Sequence, residues 1–332
     1  MSENRQKKIN SKQIVISDEH EGQRIDNFLI RYFGKIPRSR IYQMLRKGEV
    51  RINSGRVKQT YKLIKGDLLR LPPVYLDERI VSTPSQSLQQ KIIDSIIFED
   101  DGLIVINKPA VIVVHSGSGQ IHGVIEAFRA MGGDYEKLEL VHRLDKDTSG
   151  CLILAKNIPV LRQLHVAMSN GEIAKLYCAL LAGRLNNKKI TVDAPLSKNT
   201  VSSGERMVTI DDNGKSAVTK IFRERVFDSA SLANIELITG RTHQIRVHSA
   251  SIGHPVIGDM KYGDRTINRE FKKQGLKRMF LHAKALKFIS PVDQKKIIIE
   301  APLEQNLINL IDKLGLNSGQ GLKHGNNKQQ QV

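Results

Sequence analysis

The chain has 332 residues and a formal net charge of +18, with 52 Lys and Arg against 34 Asp and Glu. This length predicts two domains, and an apolar content of 40% excludes a largely disordered chain. No stretch is long and apolar enough to cross a membrane. Cys151 and Cys178 lie far apart inside apolar runs and are predicted as buried thiols. Without a Cys-x-x-Cys pair there is no zinc or redox signature, so a cytoplasmic protein is expected.

The N-terminal segment carries half of the excess positive charge. Residues 1–80 contain 18 Lys and Arg against 9 Asp and Glu, a net charge of +9. Residues 1–16 are polar and basic and are predicted as a mobile arm that leads into a strand at 13–16. Such a concentration of charge predicts a polyanionic partner that binds this part of the chain.

Apolar residues that recur every three or four positions predict two amphipathic helices after this arm. The first begins near Arg24, and the second follows Pro37 and ends at Gly48. Short strands follow, around turns at residues 53–55 and 66–67. The inward-facing residues are Ile25, Phe28, Leu29, Tyr32 and Phe33 in the first helix and Ile41 and Leu45 in the second.

The second helix and the strand after it contain the sequence Arg-Lys-Gly-Glu-Val-Arg-Ile-Asn at residues 46–53. The segment 38–53 resembles the αL (S4-like) RNA-binding domain that a small-subunit ribosomal protein shares with several RNA-modifying enzymes. The resemblance implies a small RNA-binding domain over residues 17–76. A solvated helix face is the alternative interpretation of such a run of charge. The residues implied to contact RNA are Arg38, Arg40, Arg46, Lys47 and Arg51.

A change in composition separates this domain from the rest of the chain. Residues 77–92 follow a Pro-Pro pair, contain Ser-Thr-Pro-Ser-Gln, and are predicted as a linker. Residues 93–315 alternate between apolar runs and turns and are predicted as a larger domain. Residues 316–332 are rich in Asn, Gln and Gly and are predicted as a disordered polar tail.

The larger domain is predicted to contain a mixed, mainly antiparallel β-sheet flanked by helices, which makes the chain α+β. A turn at residues 100–102 joins two strands in a hairpin, and alternating segments at 217–222 and 232–237 predict further antiparallel strands. The glycines at 117–119 are predicted as a flexible loop, because the third glycine of a dinucleotide site is missing.

Three helices are predicted in this domain from their caps and apolar spacing. Asn157 can cap a helix that runs to Gly171, and Thr242 can cap one that runs to Gly253. A final helix is predicted to end at Gly315.

One polar loop between two apolar segments is the strongest candidate for a functional site. Residues 141–150 read Val-His-Arg-Leu-Asp-Lys-Asp-Thr-Ser-Gly, and an apolar run follows at 151–154. The loop is therefore expected at a strand end, where catalytic groups are often held on a rigid scaffold. Between Arg143 and Lys146, Asp145 is expected to stay ionised at neutral pH and to be available as a nucleophile or base.

Four motifs together resemble the RluA family of pseudouridine synthases. The family usually has glycine near Val111, so the loop after the first motif is expected to differ here. The matching motifs are Asn107-Lys108-Pro109-Ala110 with a downstream Val114-His115, His142-Arg143-Leu144-Asp145 with Thr148-Ser149-Gly150, Lys175-Leu176-Tyr177, and the run from Gly240 to His248.

The resemblance implies a pseudouridine synthase domain over residues 93–315 that isomerises uridine in RNA without a cofactor or a metal. In that reaction the bond from ribose to N1 of uracil is broken, the base turns, and it is rejoined through C5. Asp145 is implied as the catalytic carboxylate, which attacks the sugar or the base or removes a sugar proton, and Arg246 as its ion-pair partner. Tyr177 is implied to stack on the base, with its hydroxyl available to help remove the C5 proton. The target base must leave its stack. The residues implied to contact the flipped nucleotide or its surroundings are Arg143, His142 and His243.

Within the family, the order of the domains and the sequence of residues 18–29 resemble the branch that modifies 23S ribosomal RNA of the large subunit. This implies ribosomal RNA or a large-subunit precursor as the partner of a monomeric enzyme. Uridines of other ribosomal or transfer RNAs are the nearer alternative. A non-catalytic RNA-binding or ribosome-assembly protein is the alternative from another class.

Two metal-dependent interpretations fit the residues less well. Residues 145–148 match the Asp-x-Asp-x-Thr pattern of magnesium-dependent phosphatases, but His142 and Arg143 interrupt the apolar strand that normally precedes it. The three histidines His243, His248 and His254 lack the i, i+4 spacing of a metal-binding pair. No metal site is therefore predicted.

Overall fold

The computed structural model describes residues 6–34, 36–77, 83–116, 122–200 and 206–317. The chain divides into two compact units, residues 1–83 and 84–332, with the boundary inside the predicted linker. The predicted glycine loop at 117–119 and the tail from residue 318 onward lie outside the described residues. Among the described residues, no helix is long and apolar enough to span a membrane.

The first unit combines two short helices with a three-stranded antiparallel sheet in the order β2-β4-β3. The predicted apolar stripes form its core, and of the five positions in the first helix only Tyr32 is exposed. Gly48 ends the second helix in a left-handed conformation, as predicted. The elements are β1 (Gln6–Ile9), β2 (Lys12–Val15), α1 (Ile25–Phe33), α2 (Arg38–Lys47), β3 (Arg51–Ile52), β4 (Leu68–Leu71) and β5 (Val74–Asp77).

The strand predicted at 13–16 is confirmed as β2, but the prediction of a mobile arm is wrong for residues 6–9. Residues 6–9 pair with residues 74–77, and residues 12–15 pair with residues 68–71, both antiparallel. Strand pairing at a sheet edge depends on backbone hydrogen bonds and requires little burial of side chains. A polar, basic sequence therefore gives no sign of it.

The second unit is organised around one sheet, in which ten strands pair among the described residues. The main order is β11-β14-β15-β10-β16-β9-β7-β6, with β8 beside β9 and β17 beside β16. Within the described part of the chain the pairing of β9 with β16 is parallel and the other pairings of this sheet are antiparallel. The sheet is therefore mixed and mainly antiparallel, and the α+β prediction is confirmed.

The strands of this unit are β6 (Ile96–Glu99), β7 (Leu103–Lys108), β8 (Glu139–Leu140), β9 (Ser149–Ala155), β10 (Ala174–Ala182), β11 (Lys189–Asp193), β12 (Leu196–Thr200), β13 (Arg206–Ile210), β14 (Val218–Val226), β15 (Ala230–Leu237), β16 (Leu281–Ile289) and β17 (Lys296–Glu300). The helices are α3 (Gln86–Ile93), α4 (Val124–Met131), α5 (Ile158–Ser169), α6 (Gln244–Ser251), α7 (Arg265–Lys273) and α8 (Gln305–Asn317).

The central strands are buried on both faces because helices cover each side of the sheet. In β10, Tyr177, Ala179 and Leu181 face one apolar cluster, and the alternate residues Cys178 and Leu180 face another. Such strands have nearly continuous apolar sequences. This explains why the apolar run at 151–154 was enough to predict β9.

Three predicted boundaries differ from the structure. Helix α3 lies in the predicted linker, because Ser85 caps it by accepting a hydrogen bond from Leu88 N. The predicted cap Thr242 is wrong, since α6 starts later and His243 is its N-cap. Helix α8 continues past Gly315, because Leu314 is buried and holds the final turn in place.

Candidate active site

The loop that carries Asp145 joins β8 to β9 and is fixed at both ends. Val141 N donates to Ile153 O, and Thr148 N donates to Asp145 O within the loop. Gly150, at φ +108°, lies against the backbone of Ala283 in β16, where any side chain would collide. The loop is therefore held between two strands of the sheet.

The buried ammonium of Lys108 joins this loop to the one before it. Its Nζ donates to Pro109 O at 2.8 Å, Ile112 O at 2.9 Å and Lys146 O at 3.2 Å. Burial lowers the pKa of Lys108 to about 7, while three carbonyl acceptors favour the charged form. Sequence analysis identified Lys108 as part of a motif, and the structure adds that it ties the Asp145 loop in place.

Val111 lies beside Lys108 in a strained backbone conformation. Its φ is +71° and its side chain is 51% exposed, although a β-branched residue rarely adopts positive φ. Val111 N donates to Lys146 O at 2.9 Å, which holds the residue there. The loop therefore has a backbone conformation at Val111 that suits glycine better than valine.

Arg246, on α6, contacts two carboxylates. Its Nη1 donates to Asp145 at 3.0 Å, while Nε and Nη2 donate to Asp259 at 2.7 and 2.8 Å. The predicted pairing with Asp145 is present, but the two-bond fork engages Asp259 instead. Burial lowers the pKa of Arg246, but the two carboxylates raise it by more, so the guanidinium stays charged.

Asp259 holds Arg246 in place but is not itself accessible. Its side chain is fully buried, whereas that of Asp145 is 27% exposed. Burial raises the pKa of Asp259, but hydrogen bonds from Arg246 and from the amides of Lys261 and Tyr262 lower it by more. Asp259 is therefore a fixed anion that orients the arginine, and Asp145 is the carboxylate that a substrate can reach.

His243 and Tyr262 complete the surroundings of Asp145. His243 Nε2 lies 3.8 Å from Asp145, and its Nδ1 lies 2.8 Å from Tyr262 Oη. The Tyr262 ring packs against Arg246, with 5.0 Å from the guanidinium carbon to the ring centroid. Burial lowers the pKa of His243, with Asp145 opposing the shift, so the imidazole is neutral at pH 7.

Tyr177 is buried in β10 and faces the cavity next to Asp145. Burial raises the pKa of Tyr177, and the charge of Asp145 adds to the shift, so its hydroxyl stays protonated at neutral pH. The cavity has a volume of about 70 Å³, far less than most ligand pockets. Its lining includes Arg143, Asp145, Tyr177, Arg241, His243 and Arg246.

His142 and Arg143 are adjacent in the loop, but only Arg143 lines the cavity. Arg143 is exposed and lines the cavity. His142 does not line it, because its Nε2 accepts a hydrogen bond from Ile153 N at 3.1 Å. Burial lowers the pKa of His142 to about 4. His142 therefore supports the backbone of β9, and its contact with the flipped nucleotide stays a prediction.

In the first unit, two of the five predicted RNA-binding residues have partners within the protein. Arg40 forms a two-bond ion pair with Glu49, with a closest distance of 2.7 Å. Arg51 donates to Gly48 O at 3.1 Å. Arg38, Arg46 and Lys47 are exposed.

His248 and the two cysteines lie outside the cavity. His248 is buried between Thr219 Oγ1 and Ala194 O, at 2.8 and 2.9 Å. Cys151 and Cys178 are buried, as predicted, and burial raises the pKa of each to about 12. Among the described residues, no group of three or more His, Cys, Asp or Glu side chains is close enough to hold a metal ion.

Sequence analysis missed Asp259 and Tyr262, the second layer of the site. The available signal was the sequence Gly258-Asp259-Met260-Lys261-Tyr262-Gly263, in which two glycines flank polar residues just after a predicted helix. Gly258 adopts φ +83° against the backbone of Arg278 and so needs to be glycine.

The comparisons with known proteins agree with this geometry. Residues 102–251 match the protein family described as RNA pseudouridylate synthase. The chain is 42% identical over 318 residues to the ribosomal large subunit pseudouridine synthase C of Haemophilus influenzae, covering 95% of this chain and 99% of that protein. It is 45% identical to the Escherichia coli protein of the same name, covering 91% and 96%.

Solved structures share the fold of the larger unit. The structure of human RNA pseudouridylate synthase domain containing 4 is similar with a TM-score of 0.57 and 24% identity, and the match covers 69% of this chain and 95% of that chain. The structure of human RNA pseudouridylate synthase domain containing 1 gives a TM-score of 0.53 at 24% identity, covering 66% and 94%.

Proposed function

This chain belongs to the family of RNA pseudouridylate synthases, and we propose that it isomerises specific uridines of 23S ribosomal RNA to pseudouridine. The observation that carries the proposal is the carboxylate of Asp145, reachable from solvent and hydrogen-bonded to an arginine that a second, buried aspartate orients. The large-subunit specificity is supported by the names of relatives at 42–46% identity over about nine-tenths of the chain.

We assign Asp145 as the residue that acts on the target nucleoside. Breaking the bond to N1 and re-forming it to C5 conserves every atom, so the reaction needs a positioned carboxylate rather than a redox group. Arg246 holds that carboxylate in one orientation. The partly buried site limits competition from water.

Tyr177 is assigned to stack on the detached uracil. A tyrosine ring offers a flat apolar face to the base, and Tyr177 lines the same cavity as Asp145. Because its pKa is raised, the phenol is a poor base at neutral pH, and stacking is favoured over removal of the C5 proton. The small cavity widens when the base enters.

Arg143 is assigned to the space that the flipped base leaves in the RNA. The side chain is exposed and adjoins the Asp145 loop, so it can reach into the stack when the uridine rotates out. Its positive charge suits a position between phosphates.

The first unit is assigned to RNA binding as an αL (S4-like) domain. The exposed cations Arg38, Arg46 and Lys47 support this, whereas Arg40 is already paired with Glu49. Replacing those three with glutamate is expected to weaken binding of 23S RNA and to reduce its dependence on salt. Unchanged binding at low and moderate salt would remove this unit from the RNA interface.

The choice of substrate is tested by incubating the purified protein with unmodified transcripts of 23S, 16S and transfer RNA, and mapping pseudouridine by carbodiimide treatment and primer extension. Primer-extension stops that mark new pseudouridines are expected only in 23S RNA. Stops in the other transcripts would favour the alternative substrates, and binding without any stops would favour a non-catalytic RNA-binding protein.

We also propose that the protein works as a monomer in the cytoplasm. The reduced state of two buried cysteines is consistent with that compartment. Sedimentation of the purified protein as a dimer would contradict the monomer.

A further inference from the structure

Lys175 is a largely buried residue whose ammonium has no hydrogen-bond or ion-pair partner among the described residues. It precedes Tyr177 by two positions in β10, so both side chains point to the same face of the sheet. The residue is only 9% exposed. Across the described ranges, no hydrogen bond or ion pair to its ammonium exists, and burial is what lowers the pKa of Lys175.

Lys108 is a second buried lysine, and its ammonium does have hydrogen-bond partners. Lys108 is fully buried, and its ammonium donates to three backbone carbonyls. Buried charges in proteins are normally paired or hydrogen-bonded in this way. The ammonium of Lys175 is not among the fully buried unpaired atoms of the described residues, so water reaches it in the free protein and it is open to a charged ligand.

The ammonium of Lys175 lies beside Gly240, the residue that leads into the lining of the Asp145 cavity. Its Nζ is 3.7 Å from the position that a Cβ on Gly240 would occupy. Gly240 is exposed, and it immediately precedes Arg241, which lines the cavity. The other neighbour, His142, is neutral at pH 7, since burial and the charge of Lys175 both lower its pKa.

We propose that Lys175 binds a phosphate group of the RNA next to the target uridine, an inference that rests on the proposed function. A phosphate would provide the counter-ion that Lys175 does not find among the described residues. The RNA backbone on either side of a flipped nucleotide must also be held in place while the base rotates. A lysine suits this task because its ammonium binds phosphate as a point charge. Lys175 is thus a substrate-binding residue and not a catalytic one.

The proposal predicts opposite effects on stability and on binding. Lys175→Met keeps the length of the side chain and removes the buried charge. The melting temperature is expected to rise or stay unchanged, whereas affinity for RNA is expected to fall about tenfold. The slope of log K against log salt is expected to decrease in magnitude by about 0.7, the value for one phosphate on single-stranded RNA.

Binding is measured with a 23S transcript fragment that contains a uridine modified by the wild-type protein, at five salt concentrations, by filter retention. Asp145→Asn serves as the common background so that the RNA is not converted. Lys296→Met, at an exposed position on β17, removes one charge elsewhere and is expected to leave affinity and slope unchanged. Lys175→Arg is expected to retain the wild-type slope.

An unchanged affinity and slope in Lys175→Met would overturn the proposal. So would a loss of affinity with an unchanged slope, because that result indicates a contact to an uncharged group. A fall in melting temperature would assign Lys175 a structural role instead. Conversion of the same fragment by the wild-type protein is scored separately, so a failure of the proposed function is recognised independently.

Discussion

Arg246 donates two hydrogen bonds to the buried Asp259 and one to the accessible Asp145. The arginine is therefore positioned by a partner that the substrate never reaches, and its remaining Nη1–H is directed at the carboxylate that the substrate does reach. A guanidinium is suited to this arrangement because its donors have a fixed planar geometry. The orientation of Asp145 is thus set by Asp259, which acts through Arg246 and does not contact the substrate.

Replacement of Asp259 by Asn is expected to disable the site without touching the substrate. The amide has the size of the carboxylate but leaves Arg246 with only the partly exposed Asp145 as a counter-charge, so the loss of stability is expected to stay below the about 3–5 kcal/mol of a fully unpaired buried charge. Pseudouridine formation is expected to fall about 100-fold because Asp145 loses its orientation. Single-turnover assays and urea unfolding measure the two effects.

Two variants separate this effect from a general change in charge. Asp228→Asn removes an exposed carboxylate whose closest cation is 3.8 Å away, and it is expected to behave as the wild type. Arg246→Lys keeps the charge but loses the fork and should share the Asp259→Asn defect. Full activity in Asp259→Asn would contradict the assigned role.

Substitutions of Tyr177 distinguish stacking from chemistry at its hydroxyl. Tyr177→Phe preserves the ring and is expected to reduce the rate less than Tyr177→Leu, which fills the buried space but cannot stack. The difference is expected in single-turnover rates on 23S RNA, with melting temperatures measured to exclude unfolding. Equal rates in the two variants would argue against stacking, and an inactive Tyr177→Phe would assign the reaction to the hydroxyl.

Val111→Gly is expected to stabilise the protein. A non-glycine residue in the left-handed region costs about 1–2 kcal/mol, and the added flexibility of glycine in the unfolded chain offsets up to about 1 kcal/mol. A net gain on the order of 0.5–1 kcal/mol is expected in urea unfolding. Val166→Gly, an exposed position in α5, should instead destabilise, and a loss of stability in Val111→Gly would show that no strain is stored there.

His142 is expected to make the folded state sensitive to acid. The unfolded side chain gains a proton near pH 6.5, whereas in the folded protein its pKa is about 4 because Nε2 is buried against Ile153 N. The stability that depends on neutral His142 is therefore complete above pH 6.5 and declines as the pH falls toward 4, by at most about 3 kcal/mol.

The measurement is urea unfolding between pH 4 and pH 7 for the wild type and for His142→Gln. The variant is expected to be less stable at pH 7 and to show a weaker dependence on pH across this interval. Parallel curves for the two proteins would mean that the acid sensitivity arises from other groups.

The elements that sequence predicted well are those with a strong local signal. Helix α5 has a side-chain cap in Asn157 and a proline in its first turn, and β9 contains the continuous apolar run at 151–154, so each is encoded by neighbouring residues. The strands β1 and β5 are held by backbone pairing between segments almost seventy residues apart, which no local pattern reveals.

The same distinction applies to the candidate site. Asp145, Tyr177 and Arg246 lie in motifs that a family resemblance identifies. The two hydrogen bonds between Arg246 and Asp259 depend on how α6 packs against the loop that follows it. The lack of a partner for Lys175 among the described residues depends on which side chains the fold brings close to its ammonium. Both are properties of tertiary packing, which cannot be deduced from the identity of a single residue.

The central claim is that Asp145 acts on the RNA, and it is tested most directly by comparing the wild type with Asp145→Asn on the same unmodified 23S transcript, without added metal. Asp147→Asn, two positions away in the same loop, is the matched control. Stops from pseudouridine are predicted with the wild type and Asp147→Asn and none with Asp145→Asn, although all three bind the RNA. Modification by Asp145→Asn at the wild-type rate would contradict the assignment.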